Sequence, residues 1–255
     1  MDSSTPKIAL ITGATSGIGK ATAIKLAQNG YDLILCGRRV DKLEALQATL
    51  SKSVAVTTLA FDVRNRAAVE QQLDSLSDSW KNITVLVNNA GNAHGSAPIF
   101  SGDIDDWDAM IDGNVKGLLY VSRAVIPQMV ARKKGHIINL SSIAGKQTYA
   151  TGAVYCASKK AVEAISEGMR LDLTEHGIKV TNIAPGAVET EFSNVRFKGD
   201  TEKAKKVYEG YEALQAADIA DAIFYAINAP ERVTIADLTI FSKAQAAPTI
   251  IYKKE

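Results

Sequence analysis

The chain has 255 residues, a formal charge of +1, and 46% hydrophobic against 22% charged residues, an ordinary composition for a globular protein with a large core. Near-neutral charge removes any general attraction to nucleic acid or an anionic membrane, and no apolar stretch approaches the roughly 18 residues of a spanning helix. The opening Met1–Lys7 lacks the basic region and apolar run of a secretory signal, and Cys36 and Cys156 are too few for a disulfide framework, so a reducing cytoplasm is the expected location.

Apolar runs of strand length alternate with longer segments of helical period. Lys7–Thr12 reads as a first strand and Ile18–Asn29 as a helix closed by Gly30. Asp32–Cys36 is a second strand, Asp41–Ser51 a helix, Ala55–Phe61 a third strand and Arg66–Leu76 a helix. Val85–Asn88 is the fourth strand, and one long helix is expected over Asp105–Ala131, bent near its end by Pro127. His136–Leu140 is the fifth strand, Ala153–His176 a helix stopped by Gly177, and Lys179–Ala184 the sixth strand. A charged segment, Asn194–Gly210, precedes a helix near Ala217–Asn228 and a last strand near Leu238–Phe241. This alternation predicts a single α/β domain over residues 1–255, a doubly wound parallel sheet with helices on both faces. No repeat, linker or low-complexity tract divides it.

Thr12-Gly13-Ala14-Thr15-Ser16-Gly17-Ile18-Gly19 sits where the first strand hands over to the first helix. Glycines there let the backbone turn tightly and approach a pyrophosphate at the helix N-terminus, the mark of a Rossmann-type dinucleotide site. At the end of the second strand an acid would hold the ribose 2′-hydroxyl of NAD; the chain reads Gly37-Arg38-Arg39 instead. Paired guanidinium groups can grip a 2′-phosphate that a carboxylate would repel, so NADP is expected. Asp62-Val63 falls at the adenine edge, where Asp62 can accept from the exocyclic amine or cap the following helix. Asn88-Asn89-Ala90-Gly91 ends the fourth strand, and its asparagines either reach the cofactor or tie the central strands together.

Tyr155 and Lys159 stand one helical turn apart in Tyr-Cys-Ala-Ser-Lys and can share a face. A phenol with a free pKa of about 10 is a poor base at neutral pH, and a fixed ammonium beside it brings it into working range. Ser142, thirteen residues upstream in Asn-Leu-Ser-Ser, can hold the oxygen of a carbonyl or alcohol.

Taken together and in order, the glycine-rich turn, Asn88-Asn-Ala-Gly91, Asn114, Ser142, Tyr155-x3-Lys159 and Pro185-Gly186 resemble the short-chain dehydrogenase/reductase family nearly end to end. Within it, Asp62–Ala68 and Glu191–Asp200 are similar to the NADP-dependent 3-hydroxy acid dehydrogenases of bacteria and yeast. Pro185–Glu191 departs from the bacterial pattern by being one residue shorter, which leaves the shape of that loop open. The resemblance implies hydride transfer between NADP+ and the β-carbon of small 3-hydroxy acids (L-allo-threonine, serine, 3-hydroxyisobutyrate or 3-hydroxypropionate class). It implies a catalytic set of Ser142, Tyr155, Lys159 and Asn114, the last holding a water in a proton relay, and the spacing selects Ser142 over Ser141. The residues expected to line the NADP site are Gly13, Thr15, Ser16, Gly17, Ile18, Gly19, Arg38, Arg39, Asp62, Val63, Asn89, Ala90, Gly91, Tyr155, Lys159, Pro185, Gly186, Val188 and Thr190. The family also implies a homotetramer packed through the two long helices, Asp105–Ala131 and Ala153–His176.

A small acid held beside Ser142 and Tyr155, away from water, needs its charge neutralised. A substrate lid over about residues 187–212 carries Arg196, which can grip a carboxylate through two parallel hydrogen bonds; Lys198 is a rival, and a solvent-facing Arg196 is the plain alternative. Two other readings of the chain are a carbonyl reductase for apolar ketones or aldehydes, and an NADPH-binding sensor without turnover. Against the sensor, Ser142, Tyr155 and Lys159 are all present. His94, His136 and His176 have no metal-site spacing, and no metal is expected.

Overall fold

A strand covered on both faces loses the alternation of a surface strand and becomes a nearly continuous apolar run. In the computed structural model, which describes residues 7–253, β1 (Lys7–Thr12), β2 (Tyr31–Gly37), β4 (Ile83–Asn88), β5 (Gly135–Leu140) and β6 (Ile178–Pro185) are buried along most of their length. With β3 (Val56–Ala60) and β9 (Asp237–Ile240) they form a seven-stranded sheet in the order β3-β2-β1-β4-β5-β6-β9. Every neighbouring pair is parallel. The expected doubly wound sheet is therefore present. The reading of Met1–Pro6 as lacking a secretory signal falls outside the described residues.

One face of the sheet is covered by α1 (Gly17–Gln28), α2 (Val40–Leu50) and α10 (Ala216–Ile227), through Leu26, Leu43, Leu46, Ile219 and Ile223. The other is covered by α3 (Arg66–Asp74), α5 (Gly117–Arg132) and α7 (Ala153–Leu173), through Val69, Leu73, Val121, Val125 and Leu173. Each such side chain fully removed from water contributes about 1.5–3 kcal/mol.

The long helix expected over Asp105–Ala131 is not one α-helix. It divides into α4 (Ile104–Ile111), a wider π-type turn at Asp112–Lys116, and α5. The wide turn carries Asn114, whose side chain is tied to the main chain of Asn92, and it brings Gly117 against Val63, where a Cβ would lie 2.7 Å from Val63 Cγ2. Pro127 sits inside α5 without ending it, and the helix runs on to Arg132.

Short elements that the sequence pattern did not reveal complete the edge. Ser142 caps α6 (Ile143–Lys146), and β7 (Val188–Glu189) pairs with β8 (Leu214–Gln215). The charged segment forms α8 (Phe192–Arg196) and α9 (Thr201–Lys206), the latter capped by the Asp200 side chain. Sheet order reverses between β1 and β4, which opens a crevice at their carboxyl ends. Both sequence motifs converge there.

Candidate active site

The crevice is lined by residues at the ends of six strands: Gly13 and Thr15 after β1, Arg38 and Arg39 after β2, Asp62 and Val63 after β3, Asn89–Asn92 after β4, Ser142 after β5, and Pro185, Gly186, Val188, Thr190 and Glu191 at and beyond the end of β6. Gly13 and Gly17 adopt φ of 66° and 51°, a region that disfavours side chains. A Cβ on Gly13 would lie 2.8 Å from Asn89 Nδ2, and one on Gly19 would collide with the Gly13 carbonyl. No side chain caps the first turn of α1, so its N–H groups are left for another acceptor. Bare backbone, a helix N-terminus and adjacent guanidinium groups fit a dinucleotide bearing an extra phosphate.

The two arginines diverge. Arg38 turns to Asp62, at 3.6 Å, and Asp62 is also gripped by Arg64 at 2.7 Å. Burial pushes the Asp62 carboxyl up, but the Arg64 hydrogen bonds outweigh it and hold the group below its ordinary range. The helix that Asp62 could have capped is capped by Asn65 instead. Arg39 lies along the glycine turn, donating to Thr15 Oγ1 at 2.8 Å and 3.2 Å and to Ser16 Oγ at 2.8 Å. Asn88 serves the central strands, donating to Asn139 Oδ1 and Ser122 Oγ at 2.9 Å each. Asn89 lines the crevice but gives its amide to Thr12 O and Gly13 O.

Tyr155 and Lys159 share the buried face of α7. Lys159 Nζ donates to Leu140 O at 2.9 Å. Ser142 Oγ accepts from Ala144 N at 3.1 Å. Asn114 donates to Asn92 O and Ser158 Oγ, at 2.8 Å and 3.0 Å. Its Oδ1 and Lys159 Nζ approach the same bare side of Gly91: a Cβ there would meet them at 2.7 Å and 3.5 Å.

Arg196 reaches a side cavity next to Tyr155, walled by Trp107, Met110 and Val154. Its guanidinium stands 6.0 Å above the Tyr155 ring and 5.8 Å above Tyr149, and its Nε is buried without a hydrogen-bond partner. Lys198 instead pairs with Asp103 and Asp106, at 3.2 Å and 3.0 Å. Several neighbours lacked any sequence signal. His94 lines that cavity, and the Tyr149 ring lies under the Arg196 guanidinium. Buried Gln245 accepts from Ala187 N at 2.9 Å and fixes the start of the segment after β6.

Residues 7–201 match the family described as short chain dehydrogenase. The chain belongs to this family. This short-chain dehydrogenase is 48% identical over 229 residues to the NADP-dependent 3-hydroxy acid dehydrogenase YdfG of Salmonella typhi, covering 89% of this chain and 92% of that protein. It is 42% identical over 240 residues to sulfoacetaldehyde reductase 2 of Chromohalobacter salexigens, covering 94% and 95%. A closed serine dehydrogenase complexed with NADP+ superposes with a TM-score of 0.91 at 43% identity, covering 97% of this chain and 100% of the other. The chain is an enzyme, an oxidoreductase.

Electrostatics in the dehydrogenase site are set by burial. Desolvation drives the Tyr155 phenol well above its ordinary range, Tyr149 adds to the rise, and the neighbouring Ser142 hydroxyl and Arg196 pull it back. Burial lowers Lys159 to about 8. The unfolded lysine titrates near its ordinary 10.5, so between about pH 8 and pH 10.5 the unfolded chain holds a proton that the folded one has shed. Stability carried by this group rises with pH across that window. The melting temperature of the ligand-free protein should therefore gain on that of a Lys159→Met variant as pH is raised from about 8 to 10, and parallel profiles for the two would refute the burial argument.

Proposed function

We propose that this dehydrogenase uses NADP to interconvert small 3-hydroxy acids and their β-carbonyl forms, with Tyr155 as the acid/base. The observation that carries the substrate class is Arg196: a guanidinium beside the Tyr155 ring, with a buried, unpartnered Nε. A buried donor without an acceptor is costly, and a substrate carboxylate would satisfy it. An apolar ketone would leave it orphaned, which argues against a reductase for such ketones. Lys198 has no free charge to offer, being held by two carboxylates. The named substrates of the relatives (hydroxy acids, serine, sulfoacetaldehyde) all place an anionic group near the reacting carbon.

Bound NADP supplies the hydride acceptor or donor. The chain then supplies proton control and position. Ser142 holds the substrate oxygen, and Tyr155 gives a proton to it or takes one from it. Lys159, at about 8, exchanges protons near neutral pH, orients the nicotinamide ribose and stabilises the phenolate. Asn114 shares the Gly91 face with Lys159 Nζ, where a water completes the relay. Gly13–Gly19 and Asn89–Gly91 cradle the dinucleotide, Arg38 and Arg39 set its phosphate preference, Asp62 and Val63 flank adenine, and Pro185, Gly186, Val188 and Thr190 border the nicotinamide half. Residues about 187–212 act as a lid on a single domain, latched to the loop after β4 by the 2.9 Å bond from Gly95 N to Arg196 O.

Free Cys36 and Cys156 suit a reducing cytoplasm, and no helix among the described residues is long and apolar enough to cross a membrane. Leu119 on α5 and Leu171 on α7 are exposed apolar side chains on the two long helices, which supports a homotetramer packed through them.

Three outcomes test this reading. Tyr155→Phe should cut turnover at least about a hundredfold while NADPH binding, followed by its fluorescence, persists; near-normal turnover would end the assignment. Arg196→Ala should lower kcat/KM for serine or L-allo-threonine by roughly ten- to a hundredfold, the range of a lost charged hydrogen bond, and spare an uncharged secondary alcohol. Equal losses on both substrates would indicate a lid defect and sink the carboxylate role. Light scattering at micromolar concentration should give the mass of four chains, and a monomer mass contradicts the packing proposed for α5 and α7.

A further inference from the structure

The segment after β6 does more than border the nicotinamide end. It crosses the glycine turn, so that a Cβ on Gly17 would lie 3.3 Å from the Thr190 side chain. The next residue, Glu191, then reaches the far end of the crevice. Its Oε2 lies 2.8 Å from Arg39 Nη1 and its Oε1 lies 3.1 Å from Lys42 Nζ. The Arg39 hydrogen bond, seconded by Lys42, holds the Glu191 carboxyl below its ordinary range despite partial burial. A carboxylate of the chain itself thus occupies the two cations nearest the ribose-phosphate end of the site.

We propose that Glu191 is an internal competitor of the cofactor's 2′-phosphate, holding Arg39 and Lys42 when the site is empty and reclaiming them as NADP leaves. The proposal rests on the reading of Arg39 as a phosphate ligand. Three features carry it. A phosphate monoester bears about −1.5 to −2 charges at pH 7, so it outcompetes a single carboxylate for the same guanidinium but cannot share it without repulsion. The 2′-hydroxyl of NAD has no charge with which to displace Glu191, so the exchange is particular to NADP. Finally, Arg39, Lys42 and Glu191 are all about half-exposed, and ion pairs of that kind are individually weak. A pair that must open at every turnover needs that weakness.

Displacement has a structural consequence, because Glu191 is the residue on which α8 begins. Phe192, the first residue of that helix, packs on Tyr155 with ring centroids 5.9 Å apart, and Arg196 is its last. Competition at Arg39 therefore acts on the element that carries the proposed substrate arginine, and it hastens cofactor release, a step that often limits turnover in enzymes with closing loops.

The test is cofactor binding without substrate, read by NADPH fluorescence and by calorimetry with NADP+ and NAD+. Glu191→Gln keeps the shape and removes the charge. It should tighten NADP+ and NADPH about two- to fivefold, the worth of an exposed ion pair, mostly through slower dissociation, and leave NAD+ unchanged. The gain should disappear in the Arg39→Ala/Glu191→Gln double variant. Weaker binding of both cofactors by a normally melting Glu191→Gln protein would show that Glu191 clamps the lid shut, and unchanged NADP+ binding would show that it does not compete; either overturns the proposal. Arg39→Ala alone separates the two readings. If it abolishes NADP+ preference while Glu191→Gln has no effect, Arg39 stands and the competitor falls. If it leaves NADP+ affinity intact, the phosphate role of Arg39 falls and takes the competitor with it.

Discussion

Thr12 Oγ1 accepts from both Asn89 N and Ala90 N, at 3.0 Å each, and donates to Val87 O at 3.3 Å. One hydroxyl thereby pins the ends of β1 and β4, the two strands between which sheet order reverses. The rest of the site inherits its dimensions from that stitch. Asn89 is held where its amide bonds Thr12 O and Gly13 O, which sets how closely the glycine turn can be packed. The adjoining Asn88 continues the polar chain to Asn139, and Asn139 donates to Ser166 on α7 at 2.9 Å. Buried hydrogen bonds in a chain strengthen one another, although Asn88 Oδ1 is left without a partner. The cofactor cradle and the helix carrying Tyr155 and Lys159 are consequently parts of one framework, although they lie about 140 residues apart in the chain.

Within that framework, charge is graded by depth. Lys159 is 6% exposed and has the Leu140 carbonyl as its hydrogen-bond acceptor, which is why burial governs its pKa. The rim holds the opposite arrangement: Arg38 with Asp62, Arg39 and Lys42 with Glu191, Lys198 with Asp103 and Asp106. The cations of these pairs are open to solvent, and pairs of that kind are cheap to rearrange. Buried charge costs stability, and on the proposed reading it sits where chemistry needs a group near its neutral-pH titration, while exposed charge sits where ligands come and go.

What could be read from the sequence follows the range of the interactions. The sheet was legible because β1, β4 and β5 are apolar on both faces, a pattern complete within six residues. The glycine turn and the Tyr155–Lys159 pair were legible because turn chemistry and helical spacing are local. The single helix expected over Asp105–Ala131 failed at Asp112–Lys116, where bonds to Asn92 and the approach of Gly117 to Val63 override propensity. The divergence of Arg38 from Arg39 is likewise decided by distant partners. One partner, Glu191, is 152 positions away, and no local pattern could have shown the pairing. Gln245 under the Ala187 amide and Tyr149 under Arg196 are hidden for the same reason.

The strap from Pro185 to Arg196 combines these two kinds of information. Its sequence carries an acid and a base five positions apart, which on a long exposed helix would be an unremarkable pair. Here Glu191 precedes a helix of five residues and Arg196 ends it, so one side chain lines the crevice and the other the side cavity beside Tyr155. The acid meets Arg39 and Lys42, and the base stands over Tyr155. A dinucleotide with an additional phosphate and a substrate with a carboxylate are both anions, yet the strap presents like charge to one and opposite charge to the other. On the proposed reading it resists the first ligand and attracts the second.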